Sequence, residues 1–193
     1  PVRYPPDDEV GEVLVTTEAL QQRVLDLGAQ ITIDLAGRTP LLIGVLKGSV
    51  IFIADLMRAI AGPVEIDFMA VSSYGDATES SGVVRIVKDL DSHIAGRDVI
   101  LVEDIIDSGL TMAYLVEYLS GKGPASLRTC SLLVRQGRTA PGVSVDYVGF
   151  ELPPAFVVGY GLDAGQQYRN LPYIATYSPS AEDPGESSGT GSG

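Results

Sequence analysis

The sequence predicts an α/β fold, a central and mainly parallel β-sheet flanked by helices. Three observations predict it. Unbroken apolar runs at 41–46 and 99–102 have the pattern of strands covered on both faces, as parallel strands are. Apolar stripes at helical spacing occur at 20–35, 50–60 and 112–119. The two kinds of segment alternate along the chain, the order that builds parallel strands joined by crossover helices. With 193 residues and 45% hydrophobic composition, the chain suits one domain with a sizeable core.

Taken in order, Leu20, Val24, Leu27, Ile31 and Leu35 fall on one helical face, with Thr16 or Thr17 as N-cap and Gly37 as stop. Residues 41–46 then form a buried strand that ends at Lys47-Gly48-Ser49 and feeds a second helix at 50–60. Val64, Ile66, Phe68 and Ala70 alternate with Glu65, Asp67 and Met69, which predicts a strand with one apolar face. A further strand at 83–87 lies beyond the polar, glycine-containing segment 72–82, expected to be a mobile loop. After the strand at 99–102 and the helix at 112–119 come strand-like runs at 127–134, 145–150 and 156–160, separated by Gly/Pro-rich turns. Residues 180–193 are Ser, Gly, Glu and Pro with almost no apolar content and are expected to be a disordered tail, leaving 1–179 as the domain.

Charge and composition exclude several function classes. A formal charge of −12 provides no broad electrostatic footprint for nucleic acid or an anionic membrane, so any affinity for phosphate must be local. No stretch approaches the roughly 18 apolar residues of a membrane span. The single cysteine, Cys130, sits in an apolar run and reads as a buried structural thiol, so a reducing, cytoplasmic setting is expected. His93, in the turn-like Asp91-Ser92-His93, reads as solvated. With one His and one Cys there is no soft-metal constellation.

The most informative segment is Val99-Ile100-Leu101-Val102-Glu103-Asp104-Ile105-Ile106-Asp107-Ser108-Gly109-Leu110-Thr111. Its strand delivers Glu103 and Asp104 to the carboxyl end of the sheet, where open α/β sheets bind ligands. Asp107, Ser108, Gly109, Leu110 and Thr111 then offer backbone N–H groups, two hydroxyls and a flexible glycine at the start of a helix, an anion cradle. Acids beside a phosphate cradle suit a ligand that bears phosphate together with hydroxyls or a metal ion. A phosphorylated sugar satisfies both.

This stretch resembles the phosphoribosyl-diphosphate signature of type I phosphoribosyltransferases, and three further motifs extend the resemblance over residues 10–177, narrowing it to the hypoxanthine-guanine branch. Leu46-Lys47-Gly48-Ser49 resembles the diphosphate loop, whose family form has a cis peptide before the lysine. Ser72-Ser73-Tyr74-Gly75 resembles the start of the lid, with Ser73 and Tyr74 as the matching residues. Phe156 to Asp163, followed by Tyr168-Arg169-Asn170-Leu171-Pro172, resembles the purine and metal segment.

The resemblance implies a small hood built from the N-terminal segment and residues 152–177, and transfer of a phosphoribosyl group from phosphoribosyl diphosphate to a 6-oxopurine. It implies that Phe156 stacks on the purine and that the backbone of Val157 reads the base edge. Lys47, Gly48 and Arg169 would meet the diphosphate. Glu103 and Asp104 would engage the ribose hydroxyls, directly or through Mg²⁺, and Asp163 would help hold the Mg²⁺ on the diphosphate. Asp107 would accept the purine proton, and a homodimer or homotetramer is implied. Arg135 departs from the pattern, standing where the family has a lysine that donates to the 6-oxo group, and Arg is not interchangeable with Lys at such a site.

Two other classes are distinguishable. A nucleotide-binding regulator on the same fold would have no need of a proton acceptor such as Asp107. A dinucleotide-binding oxidoreductase would show G-x-G-x-x-G after the first strand, and it is absent.

Overall fold

The protein is described by a computed structural model covering residues 8–74, 83–135 and 144–179. β1 (Val10–Val15) leads into α1 (Thr17–Asp34), β2 (Leu41–Leu46) into α2 (Val50–Ala59), and β3 (Glu65–Tyr74) is followed by β4 (Val83–Lys88). Next come β5 (Asp98–Ile106), α3 (Leu110–Ser120), β6 (Ser126–Arg135) and β7 (Tyr147–Leu152), then the short β8 (Val157–Val158) and β9 (Ile174–Tyr177). The main sheet has the order β4-β3-β2-β5-β6-β7 and is parallel except for β4, which runs antiparallel to β3. A separate antiparallel sheet, β1-β9-β8, joins the two ends of the described chain.

α1 starts where Thr16 accepts a hydrogen bond from Ala19 N at 3.3 Å, and its C-cap is Leu35, two residues before Gly37 with φ 78°. β2 divides its side chains between the two faces. Leu42 joins the cluster of α1 and α2 residues (Leu20, Val24, Phe52, Leu56), while Leu41, Ile43 and Val45 join Met112, Leu115 and Leu119 of α3. β5 divides likewise, Ile100 and Val102 to one side and Val99 and Leu101 to the other. Each fully buried side chain of this kind stabilises the fold by roughly 1.5–3 kcal/mol, which is why these two strands read as unbroken apolar runs.

β3 departs from the expected alternation. Met69 and Asp67 are buried, Ile66 is exposed, and Phe68 packs only partly against the core. Asp67 has a structural task. Its carboxylate accepts from Phe68 N at 2.7 Å, Asp91 N at 3.0 Å and Ser92 N at 2.8 Å, clamping the turn after β4 to β3. Burial alone would raise its pKa, but the Phe68 and Ser92 hydrogen bonds and nearby Lys88 outweigh it and hold the carboxyl below the usual range. A depressed folded-state value means that the stabilisation is present above the unfolded-state pKa and is lost as pH falls through the folded one. Asp67→Asn is therefore expected to cost about 1–3 kcal/mol in urea unfolding at pH 7. That deficit should shrink once the pH drops below about 4; a deficit independent of pH would contradict the assignment.

Ser72, Ser73 and Tyr74, expected in the loop, continue β3. The remainder of that loop, 75–82, and the tail, 180–193, lie outside the described residues. The strand expected at 156–160 contracts to Val157–Val158. Cys130 is fully buried, and burial pushes its thiol up; His93 is exposed. Among the described residues no helix is long and apolar enough to cross a membrane.

Neighbouring β2 and β5 are followed in opposite directions across the sheet, toward β3 and toward β6. Their carboxyl ends therefore form a topological switch point, where ligands of open α/β sheets bind.

Candidate active site

At the end of β2 the Leu46–Lys47 peptide is cis, as the family resemblance implied. Gly48 follows, and it is buried against Asp104 so closely that a Cβ there would overlap Asp104 Oδ2. On another side a Cβ on Gly161, whose φ is 104°, would run into the Gly48 carbonyl. The ends of β2 and β5 and the 159–161 segment thus meet in a layer with no room for side chains at either glycine.

At the end of β5 strand geometry turns adjacent residues to opposite faces. Asp104 packs on Gly48, with Oδ1 accepting from Ile105 N at 2.9 Å. Glu103 is buried and lines a cavity of about 110 Å³ with Asp107, Ser108, Gly109 and Thr111. Burial, with the charge of Asp104 second, pushes the Glu103 carboxyl up to about 8. Asp104 is raised by burial too, opposed by backbone N–H groups and Arg169 and reinforced by Asp163. Two roomier clefts, of about 330 and 450 Å³, lie along α1 and α2 and contain none of these residues.

The 107–111 loop opens α3. Gly109 is its N-cap at φ 80°, a left-handed conformation that glycine adopts without penalty, and it supplies no side-chain cap. Ser108 Oγ accepts from Leu110 N at 3.4 Å, and Leu110 itself points to solvent. N–H groups and dipole at such a terminus favour an anion. Exposed Asp107 lies 3.1 Å from Arg135 Nε, an ion pair without hydrogen-bond alignment, because that buried Nε makes no hydrogen bond. Arg135 Nη1 donates to Ala155 O. The side chain expected at the base's 6-oxo group therefore also ties Asp107 to the segment that bears Phe156.

The 159–169 segment supplies a cation cluster. Arg169 pairs with Asp163 at 2.7 Å and donates to Gly161 O at 2.7 Å, while Gly161 N donates back to Arg169 O at 2.9 Å. Gln166, which sequence reasoning missed, joins it all. Its Oε1 accepts from Lys47 Nζ at 3.1 Å and from Arg169 Nη2 at 3.3 Å, and its backbone N donates to Asp163 Oδ2 at 2.8 Å. Only its place between Asp163 and Arg169 could have pointed to it. Tyr160, at φ 50°, anchors the segment by donating to Asp55 Oδ2 of α2 at 2.6 Å.

Phe156 is 55% exposed, a large aromatic ring presented to solvent rather than to the core. Val157, next to it, is buried and pairs with Thr176. Ser73 and Tyr74 end β3, and their side chains lie outside the described residues. Glu103, Asp104 and Asp163 do not come together as a metal cluster, since among the described residues no group of three metal-type side chains does.

Residues 12–164 match the phosphoribosyl transferase domain family. A hypoxanthine-guanine phosphoribosyltransferase of Mycobacterium tuberculosis is 51% identical over 182 residues, covering 91% of this chain and 89% of that one. One from Bacillus subtilis is 48% identical over 171 residues, 89% of this chain and 95% of the relative. The crystal structure of a Bacillus anthracis hypoxanthine-guanine phosphoribosyltransferase superposes with a TM-score of 0.84 at 45% identity, covering 88% of this chain and 100% of the other. With a switch-point site built on three of the four motifs and kinship over nearly its whole length, the chain belongs to the phosphoribosyltransferase family, in its hypoxanthine-guanine branch.

Proposed function

We propose that the protein transfers the 5-phosphoribosyl group of phosphoribosyl diphosphate to hypoxanthine or guanine, releasing diphosphate and forming IMP or GMP, a purine-salvage reaction that depends on Mg²⁺. The observation that supports it most is the grouping at one switch point of the loop bearing Lys47, an anion cradle at 107–111 and the Lys47–Gln166–Arg169 cation cluster.

In this reading the sugar 5-phosphate sits in the cradle, on the backbone of Ser108, Gly109 and Leu110 and the hydroxyls of Ser108 and Thr111. Glu103, on the cradle wall, and Asp104 orient the ribose. Lys47 and Arg169 exchange Gln166 for diphosphate oxygens and draw off charge as the bond from the anomeric carbon to diphosphate breaks. The purine stacks on Phe156, with its edge at the Val157 backbone. One ring nitrogen bonds to the anomeric carbon while the N–H opposite gives its proton to Asp107. Ser73 and Tyr74 lead into a lid that excludes water.

The carboxylates present are hard oxygen donors, the chemistry that suits an ion held through one or two carboxylates, substrate oxygens and water. Asp163 would help hold the Mg²⁺ on the diphosphate, where the ion would neutralise charge, while Glu103 and Asp104 would engage the ribose hydroxyls directly or through a second Mg²⁺. Residues 1–179 are taken as one domain, with the β1-β9-β8 sheet as its hood. A cytoplasmic homodimer or homotetramer is the assembly the family resemblance supports.

Offering hypoxanthine, guanine, xanthine and adenine separately, with phosphoribosyl diphosphate and Mg²⁺, and measuring nucleotide and diphosphate formation tests this reading. The 6-oxopurines are expected to react and adenine to react poorly, because Arg135 is donor-only and adenine presents an amino group at that position. No product from any base, with phosphoribosyl diphosphate still binding, would favour a regulator.

A further inference from the structure

Glu9 lies at the start of the described chain, outside the cluster at the sheet's carboxyl edge, yet its carboxylate reaches two tyrosines far away in sequence. Tyr168 Oη donates to Glu9 Oε2 at 2.9 Å, and Tyr177 Oη donates to the same oxygen at 3.0 Å. The Tyr177 ring stands between two others, 5.5 Å from Tyr168 at a 50° tilt and 5.6 Å from Phe156 at a 53° tilt. Backbone bonds close the frame, Tyr177 N to Phe156 O at 2.9 Å and Ser178 N to Glu9 O at 3.0 Å.

Phe156 is more than half exposed, so its orientation depends on the tilted contact with Tyr177 and on its own backbone. Tilted aromatic pairs attract beyond their area of contact, and a platform fixed before binding spares the ordering cost on binding. Tyr168 is held at φ 70°, a conformation side-chain-bearing residues seldom adopt, and its neighbour is Arg169 of the cation cluster.

We propose that Glu9 is a positioning residue for the base: by gathering the hydroxyls of Tyr168 and Tyr177 on one oxygen, it sets the tilt of the Phe156 platform and ties that platform to the segment that presents Arg169. This inference rests on the reading of Phe156 as the purine-stacking ring.

The test is the KM for hypoxanthine and kcat at saturating phosphoribosyl diphosphate, with melting temperatures, in Y177F, E9A, E9Q and F156A. Y177F keeps the ring and loses one hydroxyl, so it remains informative if E9A fails to fold. Y177F and E9A are expected to raise the KM for the base about 3–10-fold, with kcat within about twofold. E9Q, whose amide oxygen still accepts from both hydroxyls, should recover most of the loss. A raised KM in F156A with an unchanged KM in Y177F and E9A, even if melting temperatures fall, would overturn the clamp and leave the platform standing. An unchanged KM in F156A would overturn the stacking reading and the clamp with it.

Discussion

Asp107→Asn is expected to lower kcat by about 10²–10⁴-fold, the range in which general base catalysis contributes, while phosphoribosyl diphosphate binds with nearly unchanged affinity. Asn keeps the shape of the side chain but cannot accept a proton. The ion pair with Arg135 is also lost, and because that Nε is buried without a hydrogen bond its loss is expected in stability and base binding, which melting temperature and KM report. The two effects therefore separate by readout. A 10³-fold fall in kcat corresponds to about 4 kcal/mol of barrier. Single-turnover kinetics with prebound phosphoribosyl diphosphate would isolate the chemical step, and a variant with wild-type turnover would remove Asp107 from the proton-accepting role.

Arg135 adds a reason to measure that variant. Its Nε is buried, has no hydrogen bond and lies beside Asp107, while Nη1 is committed to Ala155 O. Loss of the Asp107 charge would free the Nε side of the guanidinium to shift within the proposed base site. A change in preference among the 6-oxopurines in Asp107→Asn would therefore report Arg135 movement, and it is separable from the general fall in turnover.

Much of the fold was legible because β2 and β5 are central, covered on both faces and followed directly by loops and helices, so their whole pattern is written locally. β3 was harder. It too has neighbours on both faces, and its buried polar position, Asp67, is explained largely by N–H groups some 24 residues further on. β1 and β9 pair across almost the full length of the chain, with irregular register, and neither run announces its partner. The site divides the same way. Lys47, Asp107 and Arg169 stand in contiguous motifs. Gln166 and Glu9 matter through contacts across space, and the Asp107–Arg135 pair joins the ends of β5 and β6, which no local spacing encodes.

Gly48→Ala is the second large effect expected. The new methyl group would overlap Asp104 Oδ2, and retreat is blocked because the Gly48 carbonyl already abuts Gly161. Either Asp104 rotates out or the 46–48 loop shifts, and each outcome disturbs a residue proposed to touch phosphoribosyl diphosphate. Overpacking of this kind costs about 1–3 kcal/mol in stability, and a displacement of about 1 Å at such a site is worth about 10²-fold in activity. Asp104→Ala removes the atoms that the methyl group would meet. In the double variant the stability penalty of Gly48→Ala should therefore shrink, giving a coupling energy of about 0.5–3 kcal/mol, while activity stays low because Asp104 is gone. Additive stability changes would show that the glycine is required for some reason other than Asp104. Wild-type stability and turnover in Gly48→Ala alone would mean that the acid and the loop are not packed together at all.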